Sequence, residues 1–166
     1  LDLARLESGR MSLRLELITP EALITNGVER LLPQIERAQL ELKVEIDPGL
    51  PLIQADRGRI EQVLLNLVHN AIKFTKEGRV SLRAAWTGGR AQFEVEDTGP
   101  GMTPEETGSL FQPFTQTETG DKAKEGTGLG LATVYGIVKQ MDGLVTVASE
   151  PNQGATFRLY FPEARM

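Results

Sequence analysis

Cysteine is absent from this chain, and with it go disulfides, cysteine-ligated zinc and thiol nucleophiles. Histidine is nearly absent. His69 stands alone, so the chain cannot assemble a cluster of histidine metal ligands by itself. Amide and carboxylate oxygens remain, and those suit a hard cation such as Mg²⁺. No apolar run approaches the roughly eighteen residues of a membrane span, and no secretory leader is visible. A long basic run is also missing, and the net charge is −5, which argues against a nucleic-acid-binding surface. An initiating methionine is lacking too. Leu1 begins in what reads as mid-helix, which sets the expectation of a piece cut from a longer protein. The expected location is the cytoplasm, with room for a membrane anchor in the parent.

What is present is ordinary in bulk. The 166 residues, 40% of them hydrophobic, favour one domain with one sizeable core. Leu1 to Ser8 reads as the end of a helix stopped by Gly9. Leu13, Leu15 and Leu17 alternate with Arg14 and Glu16, the period of a half-buried strand. Thr19 before Pro20 predicts a helix N-terminus, with the helix running to about Gln39 and Pro33 as a candidate kink. Leu40 to Ile46 predicts a strand, and Asp47-Pro48-Gly49 a turn. Asp56 is placed to cap a helix over Arg57 to Phe74, whose apolar residues Ile60, Val63, Leu64, Leu67, Val68, Ala71 and Ile72 form a helical stripe.

Val80 to Trp86 and Ala91 to Glu96 predict a hairpin about Gly88-Gly89. Thr103-Pro104-Glu105-Glu106 is the signature of a further helix start. Thr115 to Glu125 is polar and aperiodic and reads as a mobile loop of functional length. A helix from about Gly128 to Met141 and strands at Leu144 to Ala148 and Thr156 to Phe161 follow, the strands joined by a turn over Glu150 to Gly154. The whole fits an α/β two-layer sandwich, one sheet with helices on one face.

Four short motifs stand in order on these elements. Asn66, Asn70 and Lys73 lie at i, i+4 and i+7 of the helix ending at Phe74 and share one face. Two amide oxygens and an ammonium there can meet a metal and phosphates, although a solvated polar face is the plainer reading. Asp97-Thr98-Gly99-Pro100-Gly101 follows a strand directly. Its carboxylate can accept from an exocyclic amine such as adenine N6, and glycines let backbone approach a flat ring. A simple turn is the alternative. Asp-Thr-Gly also occurs in aspartic proteases, but long helices argue against that mostly β fold.

Phe111-Gln112-Pro113-Phe114 comes next, where the phenylalanines are core residues or the base of a lid. Lys122 and Lys124 are in reach of phosphate or simply solvate a loop. Last, Gly126-Thr127-Gly128-Leu129-Gly130-Leu131 runs into a helix, so bare backbone N–H groups at a helix N-terminus can receive phosphate. It is neither a Walker A loop nor a Rossmann fingerprint, and a flexible hinge is the alternative.

These four motifs resemble the N, G1, F and G2 boxes of sensor histidine kinases, in their order, and the likeness covers nearly the whole chain. Residues 1–9 look like the C-terminal end of the dimerisation-domain helix, and 10–166 like the catalytic ATP-binding domain. The resemblance implies the Bergerat fold shared with gyrase B, Hsp90 and MutL, with a mixed, mostly antiparallel sheet. It implies ATP and Mg²⁺ as ligands. By matched position, Asn70 would ligate Mg²⁺ with Asn66 beside it, Lys73 would contact phosphate, and Phe74 would pack near the nucleotide. Asp97 would bind adenine N6, with Gly99 and Gly101 shaping that wall and Thr156 close by. Phe111, Lys122, Lys124, Gly126, Thr127, Gly128, Leu129, Gly130 and Leu131 would complete the nucleotide contacts.

No residue of the chain is assigned a catalytic role. The hydrolytic relatives carry Glu at the position of Asn66, and an amide cannot act as that base. No histidine-box phosphoacceptor lies in the chain, since His69 sits inside the N box. The reading is therefore a protein-histidine kinase catalytic domain whose acceptor histidine lies elsewhere. Its expected partners are the parent's dimerisation and phosphoacceptor domain and a response-regulator receiver domain, with no nucleic acid. The parent is expected to be a homodimer, and this piece is compatible with a monomer. Two other classes stay open, a non-catalytic nucleotide-binding or regulatory module and a hydrolytic or serine-directed member of the same superfamily.

Overall fold

The computed structural model describes residues 13–101, 103, 105 and 128–164, with side chains in the last helix described from Thr133 onward. In chain order the elements are β1 (Glu16–Ile18), α1 (Pro20–Arg37), β2 (Glu41–Ile46), β3 (Ile53–Ala55), α2 (Arg57–Phe74), β4 (Arg79–Thr87), β5 (Arg90–Asp97), α3 (Gly128–Gln140), β6 (Leu144–Ser149) and β7 (Ala155–Pro162). A five-stranded sheet has the order β2-β4-β5-β7-β6, and β1 pairs β3 in a two-stranded one. Only β2–β4 is parallel; the other three pairings of the large sheet are antiparallel.

Capping chemistry starts both long helices where the sequence predicts. Thr19 holds an extended backbone and its Oγ1 accepts from the N–H of Ala22 at 3.3 Å. Asp56 does the same for α2, its Oδ1 accepting from Arg59 N at 3.1 Å. Helix α1 runs through Pro33 to Arg37. The hydrogen bond that proline cannot donate would have reached Glu29, which is exposed, so water can serve that carbonyl. The hairpin turn at Gly88-Gly89 has φ of 60° and 80°, the left-handed pair that matches strand twist in a two-residue loop.

One face of the large sheet is apolar. Val80, Leu82 and Ala84 of β4, Ala91, Phe93 and Val95 of β5, and Phe157, Leu159 and Phe161 of β7 are all buried. Phe93 and Phe161 meet edge to face at 5.9 Å. The three described helices pack on this side, α2 in the middle touching both α1 and α3. The other face is polar and open. There Arg158 Nε meets Glu94 Oε2 at 3.0 Å, and Gln92 Nε2 donates to the same oxygen. This is the two-layer α/β sandwich expected. Among the described residues, no helix is long and apolar enough to cross a membrane.

The N-terminal strand departs from the prediction in phase. Ile18 is buried, whereas Leu15 and Leu17 are each 49% exposed. Its partner β3, three residues long and not foreseen, decides the matter. Ile18 pairs Ile53 and points inward with it, while Leu17 pairs Gln54 and points out. The small sheet is tied to the large one through the bridge Ile53–Glu163 and the bond from Ala164 N to Leu52 O at 3.0 Å. The predicted helix tail at 1–8, half of the Thr103–Glu106 start and the loop 115–125 lie outside the described residues.

Candidate functional site: a carboxylate at a strand end beside a helix of free amides

Helix α2 is held along its length by Ile60, Val63, Leu64, Leu67, Val68 and Ala71, all buried. Its N-terminus is fixed further by Arg14 N donating to Asp56 Oδ2 at 2.9 Å and by Arg57 Nε on Glu16 Oε1 at 2.8 Å. That packing leaves Asn66, Asn70 and Lys73 along one flank. The two asparagines are half-buried and the lysine is exposed. They are spaced about 6 Å and then about 4.5 Å along the helix axis. Among the described residues none of the three side chains is engaged in a hydrogen bond or an ion pair. Their amide oxygens are hard donors on a rigid element, suited to a cation that keeps part of its water shell. The described residues hold no cluster of three or more histidines, cysteines or carboxylates that competes for such an ion.

The helix ends at Phe74, and there it meets the turn after β5. Asp97 is the last residue of β5. Its register partner is Ala155, so its side chain lies on the helix-covered face of the sheet. The carboxylate accepts from Gly99 N at 2.9 Å and from the backbone N–H of Ala155. Burial disfavours its charged form and raises its pKa from the usual 3.8; those two N–H groups oppose the shift, and neighbouring Glu96 adds to it. In its ionised form the carboxylate keeps acceptor capacity beyond those two N–H groups, which suits an exocyclic amine.

The turn around it is built without side chains. At Gly99 a Cβ would lie 2.9 Å from Phe74 O, 3.0 Å from Thr75 Oγ1 and 3.1 Å from Asp97 Oδ1. At Gly101, φ is +73°, and a Cβ would strike the carbonyl of Glu150. The 97–101 turn also rests on the β6–β7 turn, where Asn152 N donates to Pro100 O. On its other side, Thr98 Oγ1 accepts from Arg79 N at 2.9 Å and Thr98 N donates to Arg79 O at 3.2 Å. The residues therefore gather a carboxylate, a turn packed backbone to backbone and, at Thr75, a buried hydroxyl without a partner among the described residues. These features fit an adenine nucleotide.

Comparison with known proteins points the same way. The profile of the family described as histidine kinase-, DNA gyrase B-, and HSP90-like ATPase matches residues 55–165. The chain belongs to this family. It is similar to the sensor histidine kinase RcsC of Salmonella typhimurium, 37% identical over 164 residues that cover 98% of this chain and 17% of that one. It is 36% identical to the circadian input-output histidine kinase CikA of Synechococcus elongatus over 98% of this chain and 22% of that one. Among solved structures, full-length ShkA in complex with AMPPNP superposes with a TM-score of 0.87 at 37% identity, covering 99% of this chain and 34% of that one. The catalytic domain of the histidine kinase ThkA gives 0.80 at 27% identity, over 92% of this chain and 97% of that one. The chain thus spans about a fifth of the length of these curated relatives and nearly the whole of an excised kinase catalytic domain. It is an ATP-binding domain of the sensor-histidine-kinase kind.

Within this ATP-binding domain the structure brings together Phe74, Asp97, Gly99 and Gly101, with Asn70 and Asn66 successive turns back along α2. Helix α3 begins at Gly128, as expected of a glycine run that opens a helix. Gly126 and Thr127, with Phe111, Lys122 and Lys124, lie outside the described residues, as do the side chains at positions 128–131. Thr156 is not brought to the Asp97 turn. It pairs Glu96, one register step from the Asp97–Ala155 pair, and its Oγ1 donates to Glu96 Oε2 at 3.3 Å on the open face. Ala155 is the β7 residue that faces Asp97.

Sequence reasoning missed three contributors, namely Thr75, Gly154 and Ala155. Gly154 has φ +77°, and a Cβ there would strike the carbonyl of Asp97 itself. Its place in the turn before β7 was legible, but its contact across the sheet was not.

Proposed function

We propose that this domain holds Mg-ATP and presents its γ-phosphate to a histidine on a dimerisation domain outside the chain. The observation that carries the reading is the pairing of a buried strand-end carboxylate, Asp97, with a helix whose amides Asn66 and Asn70 are left unengaged. Asp97 accepts from adenine N6, and the glycine turn 99–101 lets the ring approach the backbone. Asn70, with Asn66 beside it, holds Mg²⁺ through amide oxygens, and Lys73 lies within reach of phosphate. The ion supplies charge neutralisation on the phosphates, so positioning and electrostatics account for most of the catalysis. The similar ShkA carries AMPPNP, which supports an adenine nucleotide here.

Asn66 decides between transfer and hydrolysis. An amide cannot take a proton from water, and general-base help is commonly worth about 10²–10⁴-fold. A histidine acceptor needs less help, because the imidazole nitrogen is itself nucleophilic. It attacks the γ-phosphorus as the bond to the bridging oxygen breaks and ADP departs. A receiver domain is then the natural next acceptor. The test supplies the isolated domain with ATP, Mg²⁺ and a dimerisation domain bearing a histidine. Little steady phosphate release and an acid-labile, base-stable phosphoprotein are expected. Robust hydrolysis by the chain alone, abolished by Asn66→Ala, would overturn the assignment.

A further inference from the structure

Among the described residues the hydroxyl of Thr75 has no hydrogen-bond partner, although the residue is only 3% exposed. Thr75 caps the C-terminus of α2, its N–H donating to Ala71 O at 3.1 Å. Its methyl group is turned toward Gly78, lying 3.8 Å from where a Cβ would stand there. The hydroxyl lies on the side of the Gly99 turn, 3.0 Å from where a Cβ would stand on Gly99. Thr75 Oγ1 and Asp97 Oδ1 both lie within 3.1 Å of a single point beside Gly99 Cα. A buried hydroxyl left unpaired is unfavourable, so this one calls for a partner that arrives from outside the free fold.

A carboxylate and a hydroxyl side by side make an acceptor next to a donor. The edge of adenine is the complement, with the N6 amine donating and ring N1 accepting. Guanine shows the reverse, a carbonyl followed by an N–H, and would set its carbonyl against the carboxylate. No other side-chain donor is available from the strand opposite, because Ala155 stands across from Asp97.

We propose that Thr75 is a specificity-determining residue, its hydroxyl serving ring N1 of adenine, directly or through one water, while Asp97 takes the N6 amine. This rests on the reading of Asp97 as the adenine-binding acid. Rejection of guanine nucleotides then depends on both side chains, since a site built to hydrogen-bond a group discriminates through what it leaves unpaired.

The test is competition against a fluorescent ATP analogue by ATP and by 1-deaza-ATP, in which N1 is replaced by C–H. The wild-type chain should bind ATP roughly tenfold or more tightly than the deaza compound, the worth of one hydrogen bond in a site from which water is excluded. Thr75→Val should lose that preference by weakening ATP alone, and Thr75→Ser should retain it. Urea unfolding of Thr75→Val should show a midpoint equal to or above that of the wild type, because a methyl replaces an unpaired hydroxyl of the same shape. Equal binding of the two nucleotides by the wild type overturns the proposal whether or not any variant folds. So does a Thr75→Val variant that weakens both nucleotides alike, or a Thr75→Ser variant that behaves as the valine does. Failure of the underlying reading shows separately, as unchanged ATP binding in Asp97→Asn.

Discussion

Asp97 carries two opposed demands. Burial makes its charge unfavourable, yet the proposed contact with an adenine amine needs that charge as acceptor. Because its pKa is raised, the folded chain keeps a proton at pH values where the unfolded chain has released it. Stability therefore falls as pH rises from 3.8 through the raised value, and stays lower above it. Asp97→Asn removes that cost while its amide oxygen can still accept from Gly99 N. The variant should show a urea midpoint at neutral pH no lower than the parent's, and a flatter pH profile in that window. Its nucleotide affinity should nevertheless drop tenfold or more, corresponding to a lost charged hydrogen bond of about 1.5–3 kcal/mol. Parallel urea and ATP-analogue titrations separate the two effects. A folded variant with unchanged affinity would remove the adenine role.

At the scale of the element, α2 is the part on which the site depends. It is the central helix, and its amides, its Phe74 carbonyl and its Thr75 cap reach from the proposed metal end of the site to the proposed base end. At its N-terminus one side chain does two jobs, since Asp56 accepts from Arg59 N through one oxygen and from Arg14 N through the other. Asp56→Ala should cost about 1–2 kcal/mol, the upper range for loss of a helix cap, because both bonds go. The expected signature is a lowered urea midpoint with an unchanged slope. Nucleotide affinity extrapolated to the folded state should stay near the parent's, because the cap lies at the far end of the helix from Asp97. A loss of binding without a loss of stability would show that the N-terminus of α2 belongs to the site.

For the molecule as a whole, the tie between the small sheet and β7 matters most. The Ile53–Glu163 bridge and the Ala164–Leu52 bond join the N-terminal segment to the far side of the sheet. Ile18, Ile53 and Ala55 share one apolar core with the three helices and the large sheet. The domain should unfold as one unit. Urea transitions followed by Trp86 fluorescence and by far-ultraviolet circular dichroism should coincide, as a two-state transition requires. A separate early transition in either signal would mean that β1 and β3 are held independently of the sheet.

Much of this was legible in the chain alone. Thr19-Pro20 and Asp56 mark their helices because a cap is chemistry within three or four residues. The α2 stripe declares its own buried face by its period, and Gly88-Gly89 dictates a tight hairpin by backbone freedom. The order of the four motifs was enough to name a nucleotide-binding family. Other features depend on which distant segment lies alongside, and a shift of one residue in register turns a strand's side chains over. Pairing with β3 set the phase of Leu15, Leu17 and Ile18. Pairing of β5 with β7 placed Ala155, not Thr156, opposite Asp97. Burial of the Asp97 carboxylate and isolation of the Thr75 hydroxyl arise only where α2, β5 and the β6–β7 turn converge, and no local pattern in the sequence encodes that meeting.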